Sequence, residues 1–115
     1  AAYRRALLFA PDYAVAHNNL GIALSRCGEA EKAEMSFRRA IEIEPAYFDA
    51  HNNLGTCLYS QRRLEESVSA FRDAVTADPD QPSGYTNLAN ALTMLGRSEE
   101  AEAACREARR RAQNV

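Results

Sequence analysis

The pentapeptide HNNLG stands at residues 17–21 and again at residues 51–55, and YTNLA follows at residues 85–89. The step is 34 residues each time, and it extends well beyond these segments. Pro11, Pro45 and Pro79 keep it, as do Ala6, Ala40, Ala74 and Ala108. Tyr3, Phe37, Phe71 and Cys105 form a further column, Leu20, Leu54 and Leu88 another, and Asn19, Asn53 and Asn87 a fifth. Columns in one register mean that one supersecondary unit is copied and stacked.

Each unit reads as two helices. In the first copy, Ala16, Leu20, Ala23 and Leu24 recur at a spacing of three and four, which predicts a helix over about 14–27 with those residues on one face. Gly28 stops it. Ala33, Phe37, Ala40, Ile41 and Ile43 predict a second helix over about 31–43, and Pro45 forbids its continuation. The second copy repeats this with Leu54, Cys57 and Leu58, then Val68, Phe71, Ala74 and Val75, ending before Pro79. In the third, Ser98 followed by Glu99 and Glu100 reads as an N-cap with acids in the first turn. No strand-like alternation competes, so the expected class is all-α.

Within one unit the order His17-x2-Leu20-Gly21-x2-Leu24, Ala33-x3-Phe37, Pro45 resembles the tetratricopeptide repeat, whose pattern is W-x2-L-G-x2-Y, A-x3-F, P. The second unit offers His51, Leu54, Gly55, Leu58, Ser67, Phe71 and Pro79; the third offers Tyr85, Leu88, Ala89, Leu92, Ala101 and Cys105. The resemblance implies a right-handed α-solenoid, a superhelix of antiparallel helix pairs, divided as the back half of a leading repeat (1–13) and full repeats at 14–47, 48–81 and 82–115. Gly21 and Gly55 remove a side chain where two helices meet, and Phe37 and Phe71 fill the space. Ser67, Ala89 and Cys105 depart from the pattern and are expected to loosen the packing locally. Stability in such an array is close to a nearest-neighbour sum.

Composition narrows the function. The 115 residues carry 14 Lys and Arg against 16 Asp and Glu, a net charge of −2, without the basic surplus of a general nucleic-acid binder. No apolar run is long enough to span a bilayer, and no signal-peptide layout opens the chain, so neither nucleic acid nor membrane is an expected partner and the expected location is cytoplasmic. Cys27, Cys57 and Cys105 are odd in number and widely spaced, as free thiols are.

No motif for catalysis or cofactors is present, so no enzyme activity, metal or other cofactor is expected of these residues. His17 and His51 share a column in different units, too far apart to hold one metal. The acid pairs Glu65–Glu66 and Glu99–Glu100 open second helices, where the helix dipole favours them. Arg106, Arg109, Arg110 and Arg111 cluster near the C-terminal end of a helix, again where the dipole favours them.

The side of each first helix away from its Leu/Gly face carries Asn18, Asn19, Ile22 and Arg26, then Asn52, Asn53, Thr56 and Ser60, then Thr86, Asn87, Asn90 and Met94. Asn is a mediocre helix former, so its recurrence at fixed step is not a matter of propensity. A carboxamide has an acceptor and two donors and can bond a peptide's N–H and C=O together. The Asn-Leu-Gly and Asn-Leu-Ala segments are similar to repeats in the superhelix of O-linked N-acetylglucosamine transferases and in many bacterial tetratricopeptide proteins. That resemblance implies a concave groove in which Asn19, Asn53 and Asn87 hold an extended peptide by its main chain; Asn18, Asn52, Asn90 and Arg26, on the same side of the first helices, are expected to flank them. A purely structural role for the same asparagines stays open beside it.

The expectation is therefore a scaffold that binds a protein or peptide segment. Two alternatives stand: the substrate-recruiting part of a larger enzyme such as a glycosyltransferase, or a self-association module. For the latter, Ala2, Tyr3, Ala6 and Leu7 would leave an apolar face for a homodimer. In the last unit, Arg109 and Arg111 replace the apolar columns Leu7/Ile41/Val75 and Phe9/Ile43/Ala77, so no further repeat is expected after it.

Overall fold

The structure is a computed structural model and describes residues 11–113. Six α-helices follow one another: α1 (Pro11–Arg26), α2 (Ala30–Ile43), α3 (Phe48–Ser60), α4 (Leu64–Ala77), α5 (Pro82–Met94) and α6 (Ser98–Gln113). They pack as the pairs α1/α2, α3/α4 and α5/α6, and each second helix also packs on the first helix of the next pair. The result is an all-α solenoid, 50 × 30 × 18 Å. Pro11 lies inside α1, ahead of the expected start at Ala14. Proline is tolerated in a first turn, where its missing N–H has no helical acceptor.

The turns inside the pairs repeat as strictly as the sequence does. Gly28 and Gly96 adopt φ of +77° and +76°, and Arg62, in the same column, adopts +63°. Each is the left-handed residue of a Schellman turn. Its N–H and that of the next residue bond back into the preceding helix: Gly28 to Ser25 and Glu29 to Leu24, then Arg62 to Tyr59 and Arg63 to Leu58, then Gly96 to Thr93 and Arg97 to Leu92. The following residue then caps the next helix through its backbone: Ala33, Ser67 and Ala101 donate to the carbonyls of Glu29, Arg63 and Arg97. Arg97 thus holds the cap position and Ser98 is the first residue of α6, a correction to the expected Ser98 N-cap. The fixed left-handed turn sets the helix start.

The crossing of each pair rests on a ring against a glycine. A Cβ on Gly21 would lie 2.5 Å from the Phe37 ring, and one on Gly55 would lie 2.5 Å from that of Phe71. Where Ala89 replaces the glycine, Cys105 replaces the ring, so the two departures offset each other. Ser67 does not loosen its site as expected. It is fully buried, and its hydroxyl donates to the Gly55 carbonyl at 2.8 Å, pinning α4 to α3.

Two core clusters follow, one around Phe37, Leu54 and Leu58, the other around Phe71, Leu88 and Leu92. Leu54 and Leu88 are 5% and 7% exposed because a second helix precedes each of them; Leu20, in the same column, is 50% exposed. Ala16 and Ala23 are exposed as well, so the expected apolar stripe of α1 is a surface among the described residues. The leading half-repeat expected over 1–13, with its apolar face Ala2, Tyr3, Ala6 and Leu7, falls outside the described residues up to residue 10.

Second helices are linked from pair to pair by ion pairs. Arg63 bonds Glu34 at 2.6 Å and Glu66 at 2.7 Å; Arg72 and Arg97 both reach Glu100, at 2.7 Å and 2.9 Å. Burial alone would raise the Glu34 carboxyl, but hydrogen bonds from Arg63 and Arg38 outweigh it and hold the group below its ordinary value of 4.5.

Two measurements check this account. Leu54→Ala is expected to cost about 2–5 kcal/mol by loss of buried volume, and Gly55→Ala about 1–3 kcal/mol by driving a Cβ into the Phe71 ring; equilibrium urea unfolding reads both, and an unchanged midpoint for either contradicts the packing. Because Glu34 is lowered in the folded state, its contribution is complete above pH 4.5 and is lost as pH falls toward the lowered value. The thermal midpoint of Glu34→Gln should accordingly fall less steeply with acid than that of the native chain.

Candidate groove of the first helices

Successive first helices, α1 with α3 and α3 with α5, touch one another, whereas successive second helices have almost no backbone contact. The stack is thus tighter on the first-helix side. That side is the inner face of the curve, and the asparagines lie on it.

The structure pairs them across the helices. Asn53 Nδ2 donates to Asn18 Oδ1 at 3.0 Å, and Asn87 Nδ2 donates to Asn52 Oδ1 at 3.0 Å. The bond runs from one copy to the residue before its equivalent in the previous copy, 35 positions back. Asn18 is only 4% exposed, and its side chain also bonds Tyr47, whose phenol is raised by burial and by Asp49 against that bond. Asn18 is therefore a support for Asn53 and not an open groove residue. Asn52 supports Asn87 in the same way but is half-buried.

Asn53 and Asn87 are half-buried and each spends one N–H on its support, which leaves the Oδ1 acceptor and the second N–H. Asn19, Asn90 and Arg26 are exposed and make no side-chain bond to the others. Of the expected set the structure brings together Asn18 with Asn53 and Asn52 with Asn87. Thr56 and Thr86 turn their hydroxyls back to the Asn52 and Pro82 carbonyls.

Between α3 and α5 the inner face opens into a cavity of about 210 Å³, lined by Thr56, Tyr59, Phe71, Asn87 and Asn90. Tyr59 and Phe71 were not singled out as groove residues from the sequence. The signal was faint: Tyr59 stands where the first copy has Ser25 and the third has Thr93, a change of size within one column.

His51 and Cys57 are engaged in the packing. His51 is buried and its Nε2 donates to the Pro45 carbonyl at 2.8 Å. Burial, with Arg39 nearby, pushes the His17 imidazole below its ordinary value, so the ring is neutral at neutral pH. Burial raises the Cys57 thiol, which sits 3.3 Å from the Ala30 carbonyl, while Cys27 and Cys105 are exposed free thiols. Among the described residues no group of three or more His, Cys, Asp and Glu side chains is placed to hold a metal, and no helix is long and apolar enough to cross a membrane. In α6, Arg110 and Arg111 pair with Glu107, and Arg111 also pairs with Asp80.

Family models described as tetratricopeptide repeat match residues 19–82 in one case and residues 2–35 and 70–103 in another. A comparison with curated protein sequences finds no match. Among solved structures, MamA superposes with a TM-score of 0.85 at 24% identity, over 88% of this chain and 59% of that one. The second tetratricopeptide region of Spaghetti (RPAP3), bound to the HSP90 peptide SRMEEVD, gives 0.79 at 20% identity, over 83% of this chain and 88% of that one. The Yersinia enterocolitica type III secretion translocator chaperone SycD gives 0.85 at 18% identity, over 92% and 79%. At such identities the likeness is one of fold, and this chain spans 59% of the length of the MamA structure.

The two kinds of asparagine should separate in stability. Asn18→Ala empties a buried site and orphans the half-buried donor of Asn53, and is expected to cost about 1–3 kcal/mol, while Asn19→Ala should stay within about 0.5 kcal/mol; equal effects in chemical denaturation would contradict the pairing.

Proposed function

The chain belongs to the tetratricopeptide repeat family, and we propose that it is a protein-interaction scaffold whose inner groove holds an extended peptide or partner segment by its main chain. The observation that carries this reading is the pair of braced carboxamides, Asn53 on Asn18 and Asn87 on Asn52, each keeping an acceptor and a donor unspent. An extended chain offers a carbonyl and an N–H at regular intervals, which is what repeated carboxamides match. The action is non-covalent, with no catalytic residue and no cofactor, and recognition by a few neutral carboxamides fits a transient interface.

The RPAP3 structure holds an acidic peptide, SRMEEVD. Among Asn18, Asn19, Asn52, Asn53, Asn87, Asn90 and Arg26 only Arg26 is cationic, which offers little to balance a peptide of that charge. Neutral main-chain recognition suits these residues better.

A second reading, self-association through α1, has one observation in its favour. Leu20 is 50% exposed and Ala16 and Ala23 are exposed beside it, on the face that in α3 and α5 receives a preceding second helix. A second copy could cover it. On either reading the chain works by association, and where it serves a larger enzyme it would recruit substrate.

The test of the main reading replaces Asn19, Asn53 and Asn87 together with Ala. Removing Asn53 and Asn87 also leaves Asn18 and Asn52 without a donor, so binding is measured far below the unfolding midpoint, once circular dichroism matches the native chain. Peptides selected on the native protein from a random-sequence library should lose binding to the variant. Unchanged affinity would exclude the carboxamides as the contact.

A further inference from the structure

The residues that wall the cavity between α3 and α5 differ from those at the first junction of the stack in two columns. Ile22, Thr56 and Asn90 occupy one; Ser25, Tyr59 and Thr93 occupy the other. At the α1/α3 junction the longer, apolar Ile22 is partly buried and packs against the core cluster of Phe37 and Leu54. At the α3/α5 junction the shorter Thr56 stands there, turns its hydroxyl back to the Asn52 carbonyl and lines the cavity. Tyr59 then supplies an aromatic wall where Ser25 would supply none.

The floor and rim are both held in place. Phe71 is 2% exposed and is seated against Gly55, so its ring cannot swing in to fill the space. Asn87 is fixed by its bond to Asn52. The five lining residues carry no charge. A charged side chain entering would lose water without finding a counter-ion, which is strongly unfavourable. The size, about 210 Å³, falls below the roughly 300–1,000 Å³ of small-molecule pockets and suits a single side chain.

We infer that this cavity is the specificity subsite of the groove, taking one uncharged apolar side chain of an extended segment whose main chain lies against Asn87. The inference rests on the reading of the groove as a peptide site and adds a register to it. Carboxamides alone hold any sequence, whereas a cavity at one of the two junctions between first helices fixes which residue of the ligand lies between α3 and α5. Apolar burial there supplies the discrimination, and the neighbouring braced carboxamide supplies the alignment.

The probe is a blocked Ser/Ala host peptide, long enough to cross all three first helices, with Leu, Ala, Asp or Lys at one central position. Binding is followed by amide chemical shifts of the native chain, of Thr56→Ile, which places at the second junction the residue type of the first, and of Tyr59→Ser, which removes the wall. The leucine peptide should bind the native chain roughly tenfold more tightly than the alanine peptide, with shifts centred on Thr56, Tyr59 and Asn87, and the charged guests should gain nothing. In both variants the leucine-to-alanine ratio should approach unity. Equal binding of the leucine and alanine peptides to the native chain overturns the subsite and leaves the scaffold reading standing. A leucine advantage that survives in both variants also overturns it, because the side chain then lies elsewhere. Absence of binding by every peptide overturns both readings.

Discussion

A phenyl ring lying where a β-carbon would begin is the contact on which the rest of the stack depends. Phe37 on Gly21 and Phe71 on Gly55 let two helices cross without a side chain between their axes. Crossing distances of about 8–10 Å are set by the side chains at the contact, so the same pair of residues in consecutive copies yields the same hairpin twice. Identical hairpins stack at a constant offset, and only a constant offset carries Asn53 to Asn18 and Asn87 to Asn52 at the same 3.0 Å. The third pair keeps the crossing by a different balance, a larger Ala89 against a smaller Cys105. Its second helix buries only Ala101 and Ala104, so it is the most thinly packed of the three.

The two sides of the stack use different chemistry for the same task. Outside, arginines and glutamates join second helices that lie too far apart for direct packing. These side chains are largely exposed, and pairs of this kind each contribute little unless they form a network. Glu34 and Glu100 each bind two arginines, which makes them network nodes. Inside, the helices touch, and a charge pair there would have to shed its water. Neutral carboxamides avoid that loss while still giving a directional bond. The division leaves the inner face almost uncharged.

The fold was legible in the sequence because it depends on period and on residue size. Phe, Gly, Leu and Pro recurring at one step are visible without coordinates, and so is the place where each helix must stop. The braces were not legible, since the bonds do not run along a column. Asn53 reaches the residue before its own equivalent, a diagonal set by the rotation between copies, and nothing in a linear reading encodes that rotation. For the same reason Asn18 and Asn19 looked alike, although one is buried and the other open. Ser98 misled because an N-cap was inferred from residue type, whereas the left-handed turn at Gly96 hands the cap position to Arg97. The cavity was hidden as well: its walls lie where Thr56 departs from Ile22 and Tyr59 from Ser25, whereas repeat detection looks for sameness.

That difference bears on how a repeated surface can be selective at all. Identical copies present identical contacts, so a ligand held only by them could slide by one repeat at no loss. The braced carboxamides make binding economical, because groups already held in place have less freedom to lose when a ligand arrives. They do nothing to forbid the shift. A register needs two junctions that differ, and the residues at Thr56 and Tyr59 make them differ without disturbing the Gly55–Phe71 crossing directly beneath. Regularity in the buried columns therefore fixes the scaffold, and irregularity in the exposed columns is free to choose the ligand.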